Sequence, residues 1–133
     1  MPSGFAWSGY LTLADELGQK NDEASRRSAI SRAYYFVYHV ALARAKRNKF
    51  EFRPGESTHA QLWRLFTGSP DPDTSKLGAI ATRLKEKRER ADYEAFFLRI
   101  QEEVPAVISD ARDFAARLDR LPPRFPNPDS IRK

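Results

Sequence analysis

At 133 residues the chain is long enough for one domain with a real core and too short for two. Hydrophobic residues make up 41% and charged residues 31%, which predicts a folded, well-solvated domain; the absence of cysteine excludes disulfides, thiol nucleophiles and Cys-ligated zinc and fits a reducing compartment. The formal net charge of +5 favours anionic partners, nucleic acid first.

The opening segment, MPSGFAWSGYLTLADEL, has no basic region followed by an apolar run, so no secretory signal is expected. Within it Trp7, Tyr10, Leu11, Ala14 and Leu17 mark a first amphipathic helix closed by Gly18. Asn21 or Asp22 can cap a long second helix running to about Lys46, with Glu23 in its first turn. NKFEFRPGE reads as a loop. Thr58 and Gln61 have capping-box spacing ahead of a short third helix with Leu62, Trp63, Leu65 and Phe66. TGSPDPDTS reads as a connector. Leu77, Ile80, Ala81 and Leu84 mark a fourth helix ending near Ala91. Val104, Val107, Ile108, Ala111, Phe114, Ala115 and Leu118 mark the last one, with Pro105 in its first turn and Tyr93 to Gln101 as a separate turn or kinked lead-in. No alternation persists long enough for a strand. The expectation is all-α: an antiparallel bundle of about five helices over residues 1–121, followed by a Pro-rich tail, 122–133, extended or disordered. The apolar-rich stretch from Ala33 to Ala43 is too short to cross a bilayer, so a cytoplasmic protein with no membrane partner is expected.

The second helix differs from the rest. Ile30, Ala33, Tyr34, Val37 and Ala41 make a core face, but Tyr35, Phe36 and Ala43 lie round the back, and a helix apolar on nearly all sides is central or buried by a partner chain. On that back face stand Arg32 and His39. Seven residues of helix come within about 20° of two full turns, so the two side chains point the same way. Ser25 and Ser28 extend the strip, and Tyr35 and Phe36 flank it. A cation and an imidazole among aromatics are costly unless paired or used. Either Arg32 bonds a carboxylate and His39 a backbone carbonyl, both for structure, or the two form a phosphodiester site. In that second reading His39 moves a proton near neutral pH and Arg32 clamps a phosphate.

The residues around this pair resemble a known family. SRAYYFVYH (Ser31–His39) is similar to the signature of the HEPN domain family, small helical domains of prokaryotic toxin and defence systems. THAQLWRLF (Thr58–Phe66) resembles the family's His-led short helix, LKEKRERADY (Leu84–Tyr93) its R-x-x-A-D-Y element, and ISDARDFAARL is of the type of its final helix. The resemblance spans residues 5 to 120. It implies a helical bundle that dimerises, bringing two Arg/His motifs into one interfacial cleft. It also implies a metal-independent endoribonuclease needing no cofactor, with RNA as substrate, His39 as general base or acid, and Arg32 on the scissile phosphate. A nucleotidyltransferase antitoxin is a partner of some family toxins. Active members carry a polar residue directly after the arginine, where this chain has Ala33. Toxins modified by such an antitoxin carry Tyr two positions after the histidine, where this chain has Ala41. The alternative is therefore a non-catalytic module that binds nucleotide, RNA or a nucleotidyltransferase.

Arg88 continues the apolar stripe of the fourth helix and should point inward, with Asp92 at i+4 as its bridge partner or as a carboxylate reaching Arg32 or His39. The remainder of Arg83 to Arg90 is mixed in charge and reads as a solvated face before it reads as an RNA track. His59, at a helix start, reads as a packing or capping residue. Two histidines without cysteine or ligand spacing do not suggest a metal site, and there is no Gly-rich phosphate loop. The candidate site is thus Arg32 and His39, supported by Ser28, Tyr35, Arg88 and Asp92.

Overall fold

The computed structural model describes residues 4–125, which form five helices: α1 (Ser8–Gly18), α2 (Glu23–Arg47), α3 (Thr58–Thr67), α4 (Pro72–Tyr93) and α5 (Ile100–Arg120). As the pattern predicts, the architecture is an all-α bundle. α2 touches each of the other four helices. Trp7, the N-cap residue of α1, meets His39 in the second half of α2, and Arg27 early in α2 meets the end of α4, so both neighbours run antiparallel to it. α5 runs in the same direction as α2, since Arg44 near the end of α2 reaches Leu118 near the end of α5. Tyr34, Leu62, Phe66, Leu77, Leu84, Val107 and Phe114 are fully buried between these elements. Gly78 lets α4 lie directly on α3: a Cβ there would stand 2.7 Å from the backbone nitrogen of Thr67.

Helix starts follow local chemistry, with three departures from expectation. Asp22, in extended backbone, accepts from the Ser25 amide at 2.8 Å and opens α2. α3 is capped one residue earlier than the expected Thr58–Gln61 box, by Ser57 accepting from the Ala60 amide. Gln61 turns instead to the preceding loop, accepting from Arg53 N–H and donating to the carbonyls of Arg53 and Glu56. α4 takes up the second half of the expected connector: Asp71 accepts from the Thr74 amide and hydroxyl, and Pro72 fits the first helical position because no amide donor is needed there. α5 begins at Ile100, after Arg99 in the left-handed region, so Pro105 sits inside the helix and not in its first turn; its ring faces solvent.

Two further expectations are corrected. Phe36 does not lie on an uncovered back face; it is buried within the chain. α1 covers much of that side of α2, with Trp7 and Tyr10 lying over His39 and Arg32. Residues 122–125 are also not a free tail. The buried Arg44 guanidinium donates to the carbonyls of Leu118 (2.8 Å), Leu121 (3.2 Å), Pro122 (2.5 Å) and Phe125 (2.8 Å). The Phe125 ring packs edge-on to Phe66. The rest of the expected tail, 126–133, lies outside the described residues.

Candidate functional site

The residues of one strip of α2, Ser28, Ser31, Arg32, Tyr35 and His39, recur at helical spacing and open into a single cleft of about 490 Å³. Tyr10 of α1 closes one wall and Asp92 of α4 the other. Five of the six candidate residues line it; the sixth, Arg88, stands behind Asp92 and Tyr35.

Arg32 is half-buried, with its guanidinium 4.7 Å from the Tyr10 ring centre and 5.4 Å from that of Tyr35. Among the described residues it has no carboxylate and no carbonyl partner. The structural alternative for this side chain, a carboxylate pair, is therefore not what the fold provides. His39 lies flat on the Trp7 indole, ring centres 3.5 Å apart and planes 3° from parallel, with Tyr10, Tyr35 and Tyr38 around its edge. Neither of its ring nitrogens is hydrogen-bonded among the described residues, so the expected alternative of a backbone carbonyl partner is also not realised. Burial first, then the nearby charges of Lys46 and Arg32, hold its pKa below the ordinary 6.5. The imidazole is thus neutral near pH 7 and can accept a proton.

Arg88 points inward as its place in the apolar stripe predicts. It is 9% exposed, its guanidinium stacks near the Tyr34 and Tyr35 rings, and its Nη1 stands 3.7 Å from an Asp92 carboxylate oxygen. Its Nε has no partner among the described residues. Asp92 also accepts from the Ser31 hydroxyl at 3.4 Å, which ties α4 to α2 at the cleft wall. The carboxylate is thus directed to Arg88 and Ser31, not to Arg32 or His39. Ser25, placed on the same strip by spacing, is not in the cleft, and its amide is taken up by the Asp22 cap.

The rest of the charged run is a solvated face, as expected. Arg83 pairs with Asp110, Lys85 with Glu89, Lys87 with Glu103 and Arg90 with Glu94. His59 is a packing residue. Trp63 donates its indole N–H to the Tyr34 hydroxyl at 3.0 Å, and that hydroxyl stands 2.6 Å from His59 Nδ1. With the indole as donor, the tyrosine oxygen keeps one donor and one acceptor function, and the imidazole tautomer sets which of them meets Nδ1. Burial, followed by the charges of Arg88 and Lys85, holds its pKa down to about 4.

The sequence reading missed Ser31, Tyr10 and Trp7 as parts of the site. Ser31 stands at i+3 from Ser28 and i−4 from Tyr35, so the strip's own spacing contains it. Trp7 and Tyr10 belong to the α1 stripe, and only the packing of α1 on α2 makes them neighbours of His39. Comparison of the chain with protein-family models, with curated proteins and with solved structures finds no match.

Proposed function

We propose that this chain is a metal-independent endoribonuclease of the HEPN type, acting through Arg32 and His39 in a cleft completed by a second copy, in a toxin or defence setting. The observation that carries the reading is that Arg32 and His39 share one open cleft while neither has a structural partner among the described residues. Half-buried polar groups without partners are costly and are retained where a ligand pairs them.

The chemistry is an in-line transesterification. Neutral His39 takes the proton of a ribose 2′-hydroxyl, and the 2′-oxygen attacks the adjacent phosphorus. Arg32 pairs with the non-bridging oxygens, where negative charge grows. The bond to the 5′-oxygen breaks, that oxygen takes up a proton, and the products are a 2′,3′-cyclic phosphate and a 5′-hydroxyl. Trp7 fixes the imidazole plane, and the Ser28 hydroxyl offers a hydrogen bond to the sugar–phosphate backbone.

A second reading, a non-catalytic module that binds nucleotide, RNA or a nucleotidyltransferase, is favoured by Ala33. That side chain is 0% exposed, so the position where active relatives carry a polar group belongs here to the core. Structured RNA incubated with the full chain in EDTA separates the two. Cleavage to cyclic-phosphate ends is expected, and it falls about 100- to 10,000-fold in Arg32→Ala and in His39→Ala. Binding of RNA without cleavage establishes the module. Cleavage that survives either substitution, or that EDTA abolishes, removes the proposed mechanism.

A further inference from the structure

The cleft has two walls of unlike chemistry. On the α1 side the Arg32 guanidinium rests 4.7 Å from the Tyr10 ring centre, and His39 lies on Trp7. On the α4 side stands Asp92, the only acidic side chain lining the cleft among the described residues. A phosphate is repelled there, so this wall suits a group that donates hydrogen bonds and carries no negative charge.

The carboxylate is only half committed. Its Oδ2 takes both contacts, the Ser31 hydroxyl at 3.4 Å and Arg88 Nη1 at 3.7 Å, and Oδ1 has no partner among the described residues. Arg88 is 9% exposed with an unpartnered Nε, and a buried guanidinium so loosely met is costly. What it secures is the position of Asp92. Ser31, which Asp92 meets, lies eight residues before His39, about 12 Å along α2 at about 1.5 Å per residue. The nucleotide that reacts presents its 2′-hydroxyl to His39 and its 3′-phosphate to Arg32, so its base is the part left to extend towards Asp92.

The four bases differ in what they offer a carboxylate. Guanine sets two donors, N1–H and the 2-amino group, side by side on its Watson–Crick edge. Adenine and cytosine set an acceptor nitrogen beside their one amino group, and uracil flanks its N3–H with two carbonyls. Guanine alone meets Asp92 with adjacent donors, one for the free Oδ1 and one for the remaining lone pair of Oδ2. A duplex covers that edge, so the base is an unpaired one.

We infer that Asp92 is the base-selecting residue of the cleft, taking the Watson–Crick edge of an unpaired guanine and directing the reaction to the phosphate 3′ of guanosine. The side of the phosphate rests on the nuclease reading; the base contact itself rests on Asp92 and its free oxygen.

Isothermal titration calorimetry of the full chain with the 3′-monophosphates of guanosine, inosine, adenosine, cytidine and uridine tests this. The guanosine compound should bind about 5- to 150-fold more tightly than the adenosine, cytidine and uridine compounds. Inosine, which keeps N1–H and lacks the 2-amino group, should fall between. Asp92→Asn, its fold verified by thermal melting, removes the preference for guanosine. Arg32→Ala weakens all five and preserves their order. Equal affinities, binding of none of the five, a different preferred base, or a preference that survives Asp92→Asn overturns the inference. Should Asp92→Asn fail to fold, the unaltered chain decides, because equal binding of guanosine and inosine compounds also overturns it. A guanosine preference in a chain that cleaves no RNA upholds the base site and removes the nuclease. Cleavage without regard to base does the reverse.

Discussion

Two histidines stand on opposite sides of the same group of tyrosines. His59 stacks on Tyr38 at 3.9 Å, and His39 stacks on Trp7 at 3.5 Å. Burial lowers the pKa of both. What separates them is hydrogen bonding: His59 is tied into a Trp63–Tyr34–His59 chain, whereas neither ring nitrogen of His39 is hydrogen-bonded among the described residues, and His39 lines the cleft. The arginines of α2 divide in the same way. Arg44 and Arg27 each bond four carbonyls, while Arg32 rests on aromatic faces with no hydrogen-bond or ion-pair partner among the described residues. Residue type and burial therefore do not distinguish structural from chemical side chains here. Satisfaction of their polar atoms does.

That contrast can be broken most forcefully by comparing substitutions within α2. Arg32→Ala and His39→Ala are expected to remove the cleavage described above while changing stability by no more than about 1 kcal/mol, since neither group is bonded to the fold. Arg44→Met should do the opposite. It strands the carbonyls of Leu118 and Leu121 in a buried setting and should lower stability by about 3–5 kcal/mol in urea unfolding, with little effect on the intrinsic chemistry of the cleft. Equal stability losses for Arg32→Ala and Arg44→Met would erase the distinction.

A smaller effect sharpens the histidine pair. His59 titrates near 4 in the folded chain against an ordinary 6.5, so the unfolded chain takes up this proton first as pH falls. Stability from this group is full above about 6.5 and is lost progressively towards pH 4. His59→Gln should flatten that decline in urea titrations at stepped pH; an unchanged slope would assign it to other groups. The smallest expected effect concerns the stack on His39. Trp7→Ala uncovers the imidazole, so its pKa should rise towards 6.5, as followed by its proton resonances. The acidic limb of the cleavage profile should then move to higher pH, with the rate above neutrality little altered.

Much of this was readable from residue order. The heptad spacing of Arg32 and His39 aligns them on any α-helix, and the apolar periodicity of α5 fixes its buried face without reference to neighbours. The partners of the buried cations were not readable. Arg44 is held by carbonyls more than seventy residues away in the last turn of α5 and the segment after it, and nothing in its own neighbourhood distinguishes it from Lys46 or Arg47, which are exposed. The boundary errors have a common origin in competition between good local signals. Ser57 and Thr58 are both capping residues, and the loop's demand for Gln61 decided between them. Pro72 reads as a breaker until Asp71 is seen to cap the helix it begins. Phe36 falls outside the core face on a helical wheel of α2 alone, yet the packed fold buries it.

The grip of Arg44 on Pro122 and Phe125 also bears on where the domain ends. A chain cut after Leu121, at the Pro-Pro step that composition marks as the border, would forfeit two of the four acceptors that neutralise a buried cation, together with the phenyl ring lying against Phe66. Such a truncation would melt earlier. The smallest faithful version of this domain extends through Phe125.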